Sequence, residues 1–168
     1  MISIEGLELR FYAVIIAAIV TFALTQVGIF ATRRFDAKRE IQTLQKALRA
    51  ELKSSVEQNG EAKDPELFRK ISSMDIKTIN AYTFPSMRRE IFERNCDKVG
   101  RLPPETADAV VRAYGNIDLW NKFSEHIKSP EFVGADKSTQ DVMISYFVSI
   151  NDDVHSSVKK AIDAIESR

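Results

Sequence analysis

The longest uninterrupted hydrophobic run lies at residues 11–32, FYAVIIAAIVTFALTQVGIFAT, 22 residues without a charge or a proline. At about 1.5 Å per residue such a helix reaches roughly 33 Å, close to the hydrocarbon thickness of a bilayer. Eleven of the 22 residues are Leu, Ile, Val or Phe. At about −0.3 to −0.6 kcal/mol each they favour insertion by roughly −3 to −7 kcal/mol, and three threonines and Gln26 offset only part of that. The run predicts a transmembrane helix rather than the buried helix of a soluble protein. A cleaved signal peptide fits poorly: the preceding MISIEGLELR sets Glu5 and Glu8 against Arg10, and no small-x-small pattern closes the run.

Beyond the run the hydrophobic positions keep a helical spacing. Ala37, Ile41, Leu44, Leu48, Leu52 and Val56 mark a juxtamembrane helix at 35–58. With no Gly or Pro between Ile29 and Asn59 it can continue the spanning helix, and Asn59-Gly60 stops it. Asp64-Pro65-Glu66 opens a short helix carrying Leu67, Phe68, Ile71 and Met74, and 75–83 is ambiguous, with room for another helical turn or two. Pro85 restarts a helix with Met87, Ile91, Phe92 and Val99, which Gly100 closes as a left-handed cap. Pro103 and Pro104 then make a tight corner. The next helix presents Ala107, Val110, Tyr114, Ile117, Trp120, Phe123 and Ile127 and stops at Ser129-Pro130. A loop at 130–137 follows, then a capping box of Ser138 with Asp141. The last helix buries Met143, Phe147, Ile150, Val154, Val158, Ala161 and Ile165. The predicted fold is all-α: one N-terminal transmembrane helix followed by a bundle of about four to five helices.

Charge supplies the orientation. The chain is balanced, 24 basic against 24 acidic residues, but residues 33–53 carry seven Lys/Arg and three Asp/Glu. Arg33, Arg34, Lys38 and Arg39 crowd one end of the spanning helix, against Arg10 alone at the other. Positive residues stay inside, so 1–10 is expected to be a short extracytoplasmic tail and 33–168 a cytoplasmic domain. The same cluster suits anionic headgroups. Residues 54–168 have 16 basic and 19 acidic residues, so no nucleic-acid partner is expected. Along the spanning helix, Ala13, Ala17, Thr21, Thr25, Gly28 and Thr32 form a small-residue stripe of the kind that lets helix backbones approach in lipid. Gln26 lies on nearly the opposite face, with Ile15, Ile19, Phe22 and Phe30. The two faces compete as surfaces for association.

Several short motifs occur together: Leu48–Leu52 (LRAEL), then Asn95, Val99, Gly100, Leu102, Pro103 and Glu105, then Val110, Val111 and Tyr114. In these the chain resembles a class of uncharacterised bacterial single-pass membrane proteins, with an LRAEL-type helix and an Asn-x-x-x-Val-Gly-x-Leu-Pro-Pro-Glu helical hairpin. The resemblance implies an architecture and a bacterial source. It implies no activity.

Candidate chemistry is sparse. Cys96 is the single cysteine, so neither an intrachain disulfide nor a multi-cysteine metal site can form. On its amphipathic helix it reads as a half-buried structural thiol; a nucleophilic role would need His126 or His155 as base. Asp152 and His155 share a helix face but supply only half of one di-metal motif, and Glu125 and His126 are adjacent and point apart. Phosphate-loop, zincin, kinase and serine-hydrolase signatures do not occur. No catalytic, cofactor or metal residue is assigned, and no cofactor is expected. Asn95 falls on the buried side, where its amide needs a partner; the corner at Gly100–Pro104 offers one, which gives Asn95, Gly100, Pro103 and Pro104 a structural role. The expectation is therefore a membrane-anchored interaction or scaffold module. Its expected partners are the lipid bilayer and a second copy, or another membrane or cytoplasmic protein. The alternatives are a membrane-tethered regulator with a ligand near Asn95, Tyr82 or Trp120, and an enzyme using Cys96 or His155.

Overall fold

The computed structural model describes the backbone of residues 4–58 and 86–167 and the side chains of 16–57 and 86–167. The predicted helix at 64–74, the stretch 75–83 containing Tyr82, and Pro85 lie outside the described residues, as does the side chain of Ala13. Within them the fold is all-α, with no strand.

The first helix, α1, runs without interruption over Ile4–Gln58, as the absence of Gly-Pro punctuation after Ile29 allows. The chain divides into two compact units, Met1–Gln42 and Thr43–Arg168, and α1 contributes to both. In the first unit its apolar side chains are bare: Phe22 is 65% exposed and Phe30 67%. Its threonine hydroxyls bond back along the helix, Thr21 to the carbonyl of Ala17 at 2.7 Å, Thr25 to Thr21 at 2.8 Å and Thr32 to Gly28 at 2.9 Å. The guanidinium of Arg34 lies 5.9 Å from the Phe30 ring centre.

In the second unit α1 is a core element. Leu44, Leu48 and Leu52, one turn apart, are buried, with Glu51 and Ser55 beside them. The predicted stripe thus packs within its own chain from Leu44 onwards, while Ala37 is exposed. Two short helices follow, α2 (Glu90–Arg94) and α3 (Cys96–Val99). Then come α4 (Pro104–His126), α5 (Pro130–Gly134) and α6 (Lys137–Glu166).

The centre of this unit is an antiparallel hairpin of α4 on α6. Six of the seven buried positions of α4, Thr106, Val110, Ala113, Ile117, Trp120 and Ser124, alternate spacings of four and three, which keeps one seam facing a partner helix, and the seventh is Tyr114. Contacts descend along α6 as they rise along α4. Thr106 Oγ1 donates to the Ala164 carbonyl at 3.2 Å, Asn116 Nδ2 to the Ser157 hydroxyl at 3.0 Å, and Trp120 stacks on Phe147 with ring centres 4.5 Å apart. Ala113 and Ala161, both fully buried, let the backbones approach.

Several expectations are corrected here. The segment 130–137 is not a plain loop: Ser129 accepts from the Phe132 N–H at 3.2 Å and starts α5, whose Phe132 plugs the core. The cap of α6 is Asp136 rather than Ser138. Its carboxylate accepts from the Thr139 N–H at 3.0 Å and the Thr139 hydroxyl at 2.7 Å, which leaves Ser138 inside the first turn. On α6 Ile144 takes the buried position expected of Met143, which is half-buried. The helix expected from Pro85 to Val99 is non-helical at 86–89 and broken at Asn95. Asn95 Nδ2 donates to the Ile91 carbonyl at 2.9 Å, taking the acceptor that the next backbone N–H of the helix would use.

Gly100 is not a left-handed cap. It has φ −63° and ψ −11°, right-handed helical values. The turn is made instead by short-range bonds, Arg101 N–H to the Lys98 carbonyl at 2.9 Å and Leu102 N–H to that of Val99 at 3.0 Å. Pro103 is extended (φ −53°, ψ 141°), as a residue preceding proline must be. A Cβ at Gly100 would meet nothing within 4 Å. Gly100→Ala is therefore expected to leave the melting temperature unchanged or to raise it, by up to about 1 kcal/mol of stability from the less flexible unfolded chain. Thermal unfolding followed by circular dichroism checks this.

Candidate functional site

The most developed polar constellation is built on Glu51, an acid set within the apolar stripe of α1 and only 6% exposed. A carboxylate so deep must have its oxygens bonded. Oε1 accepts from the Ile91 N–H at 2.7 Å; Oε2 accepts from the Phe92 N–H at 3.2 Å and from the Tyr114 hydroxyl at 2.6 Å. Ile91 and Phe92 are the second and third residues of α2, whose leading N–H groups have no partner within the helix. The residue before α2, Arg89, provides no side-chain cap. Glu51 thus caps α2 from another helix, and its negative charge stands at the positive end of that helix. The Tyr114 ring completes the arrangement by stacking on Phe92, centres 4.2 Å apart and planes 12° from parallel.

The chain just before α2 is gripped in the same manner. Asn121 of α4 accepts from the Met87 N–H at 2.8 Å and donates to the Met87 carbonyl at 3.0 Å. Ser55 of α1 donates to the Arg88 carbonyl at 3.1 Å. Arg89 is paired with Asp118 and, at 2.6 Å, with Glu93. Residues 87–92 therefore lie between α1 and α4, held largely through main-chain atoms, with Met87 buried beneath.

Electrostatics follow from these contacts. Burial, followed by the hydrogen bond to Glu51 and its charge, pushes the Tyr114 hydroxyl well above the ordinary phenol range. A hydrogen bond from Lys122, then one from Arg89, holds the Asp118 carboxyl below its ordinary value. Because the folded-state value of Tyr114 is raised, its contribution to stability is complete below the unfolded value of about 10. It is lost progressively as pH rises from there through the raised value. Tyr114→Phe is expected to remove this part of the alkaline sensitivity, seen as a flatter pH dependence of the melting temperature above pH 10 than in the unmodified chain.

Neither a family profile, nor a curated protein, nor a solved structure shows similarity to this chain.

The remaining sequence candidates are dispersed. Cys96 is exposed rather than half-buried, because the break at Asn95 turns α3 away from the register of α2. Among the described residues no group of three or more His, Cys, Asp or Glu is arranged to hold a metal. His126 closes α4 among aromatic rings, 6.2 Å from Phe123 and 6.3 Å from Phe132. Asp152 is exposed and His155 half-buried on α6. Asn95 engages its own helix as described, and Trp120 is fully buried against Phe147. A furrow along α1 bordered by Gln26, Phe30, Arg34 and Lys38 is walled, among the described residues, by that one helix. Glu51, Ser55 and Asn121 are the residues that sequence reasoning does not single out, although an acid between Leu48 and Leu52 is a readable signal.

Proposed function

We propose that this chain is a membrane-anchored helical interaction module. One observation carries the reading: α1 presents a hydrophobic window of mean hydropathy 1.6 with none of it buried, including Leu24, Val27 and Phe30, each about two-thirds exposed. Apolar surface of that extent is not left in water; it faces lipid or another protein. The buried helix of a soluble protein, the competing explanation, has no support in such bareness. The basic cluster Arg33–Arg39 at the end of the run argues for a cytoplasmic placement of the residues that follow. The likeness to bacterial single-pass proteins is in keeping with an inner-membrane setting. The domain after Thr43 offers a packed core and a structural clamp, which suits binding to another protein better than turnover of a substrate. The ligand-responsive alternative has less behind it, since the Asn95 amide is engaged and Trp120 is sealed.

Alkaline carbonate extraction and a C-terminal reporter test the reading together. The full chain is expected to stay with the membrane pellet. A reporter active only outside the cytoplasm is expected to be silent when fused after Arg168. Release into the supernatant would overturn the anchoring, and strong reporter activity would reverse the orientation.

A further inference from the structure

Polar side chains on the exposed part of α1 fall into two kinds. Thr21, Thr25 and Thr32 each donate to the carbonyl four residues earlier, so the small-residue stripe offers close packing and little polar attraction. Gln26 makes no hydrogen bond to any of the described residues. A primary amide surrounded by hydrocarbon is costly until its donors and acceptor find partners.

Gln26 belongs to a longer pattern. Ile19, Phe22, Gln26, Ile29, Arg33 and Asp36 follow one another at spacings of three and four, the repeat that keeps two helices on a common seam. Ile19, Phe22 and Ile29 are 62%, 65% and 42% exposed. At the polar end, Arg33 and Asp36 form no ion pair with the described residues.

We infer that this face joins two parallel copies of the chain in the membrane, with paired Gln26 amides and with Arg33 of each copy against Asp36 of the other. The inference rests on the membrane reading above and names its partner. A second copy is the occupant that the chemistry fits. The amide is self-complementary, donating through Nε2 and accepting through Oε1, and copies inserted the same way bring it to the same depth. Arg33 and Asp36 carry opposite charges three residues apart, so a two-fold axis converts them into two attractions. A single polar residue in an apolar seam also fixes register, because any slip strands it.

Cysteine cross-linking of the full chain in membranes tests this. Cys96→Ser removes the native thiol. Phe22→Cys and Ile29→Cys then probe the seam, while Thr21→Cys and Gly28→Cys probe the small-residue face at matching depths. Oxidation is expected to give disulfide-linked dimers from the two seam variants and few from the other two. Adding Gln26→Leu to the Ile29→Cys chain is expected to lower the dimer fraction by about three-fold or more, and Gln26→Asn to retain most of it. Stronger cross-linking at positions 21 and 28, or no response to Gln26→Leu, would overturn the inference. Carbonate extraction of the same membranes separates the two levels. A retained chain without seam cross-links defeats this inference alone, whereas a released chain defeats the membrane reading and this inference with it.

Discussion

Replacing Glu51 by leucine is expected to destabilise the domain after Thr43 by about 3 kcal/mol or more, although leucine is close in size and the site is buried. The reason lies in what is left behind. The Ile91 and Phe92 N–H groups and the Tyr114 hydroxyl lose their shared acceptor, and each stranded buried group costs about 1–3 kcal/mol. Tyr114→Phe alone removes one donor and should cost about 1–2 kcal/mol. Combining the two is expected to cost less than their sum, since neither can strand the other once both are gone. Chemical denaturation of the full chain in detergent, followed by the fluorescence of Trp120, the single tryptophan, reads the domain without interference from α1 before Thr43. Equal stability of the Glu51→Leu chain would show that α2 does not depend on its cap.

Trp120→Ala is expected to be at least as damaging, at about 3–5 kcal/mol. Trp120 is fully buried where α4 meets α6 and stacks on Phe147, which in turn lies 6.2 Å from Phe123. Truncation opens a large void in the middle of the hairpin, and the helices cannot close over it while both ends are pinned. Thr106 holds one end to the Ala164 carbonyl, and α5 with its plug Phe132 holds the other. Set against a typical domain stability of about 5–15 kcal/mol, this loss places the variant near the edge of folding. Trp120→Phe keeps a ring on Phe147 and should recover most of the difference. Far-ultraviolet circular dichroism follows both variants, because the fluorescent reporter is the residue removed.

What could be read in advance depended on whether a structural choice leaves a trace in nearby residues. The seams of α4 and α6 are spelled out by their own spacing, and Leu44, Leu48 and Leu52 mark the buried face of α1 in the same way. The role of Glu51 is half-visible: an acid among leucines demands a reason. Its partners, however, lie 40, 41 and 63 residues away and two of them are main-chain N–H groups, which any residue type supplies. Asn121 and Ser55 escape notice for the same reason. Gly100 misleads because a glycine between a helix and a Pro-Pro pair is the usual sign of a left-handed cap, whereas glycine adopts right-handed values equally well. The short helix at Pro130–Gly134 is a turn and a half long, too brief for a hydrophobic period to reveal it.

The grip on residues 87–92 has a consequence for how this chain can vary. Asn121, Ser55 and Glu51 hold the segment by its amides and carbonyls, so the side chains at Arg88 and Glu90, both exposed, carry almost no information about the fold. The three gripping residues carry much of it, together with the buried Met87, the Arg89–Asp118 pair and the Phe92–Tyr114 stack. Sequence drift should therefore be lopsided, with the held segment wandering freely at its outward positions while Glu51, Ser55 and Asn121 stay put. A homologue that keeps that trio at this spacing could be recognised even where the segment itself has become unrecognisable.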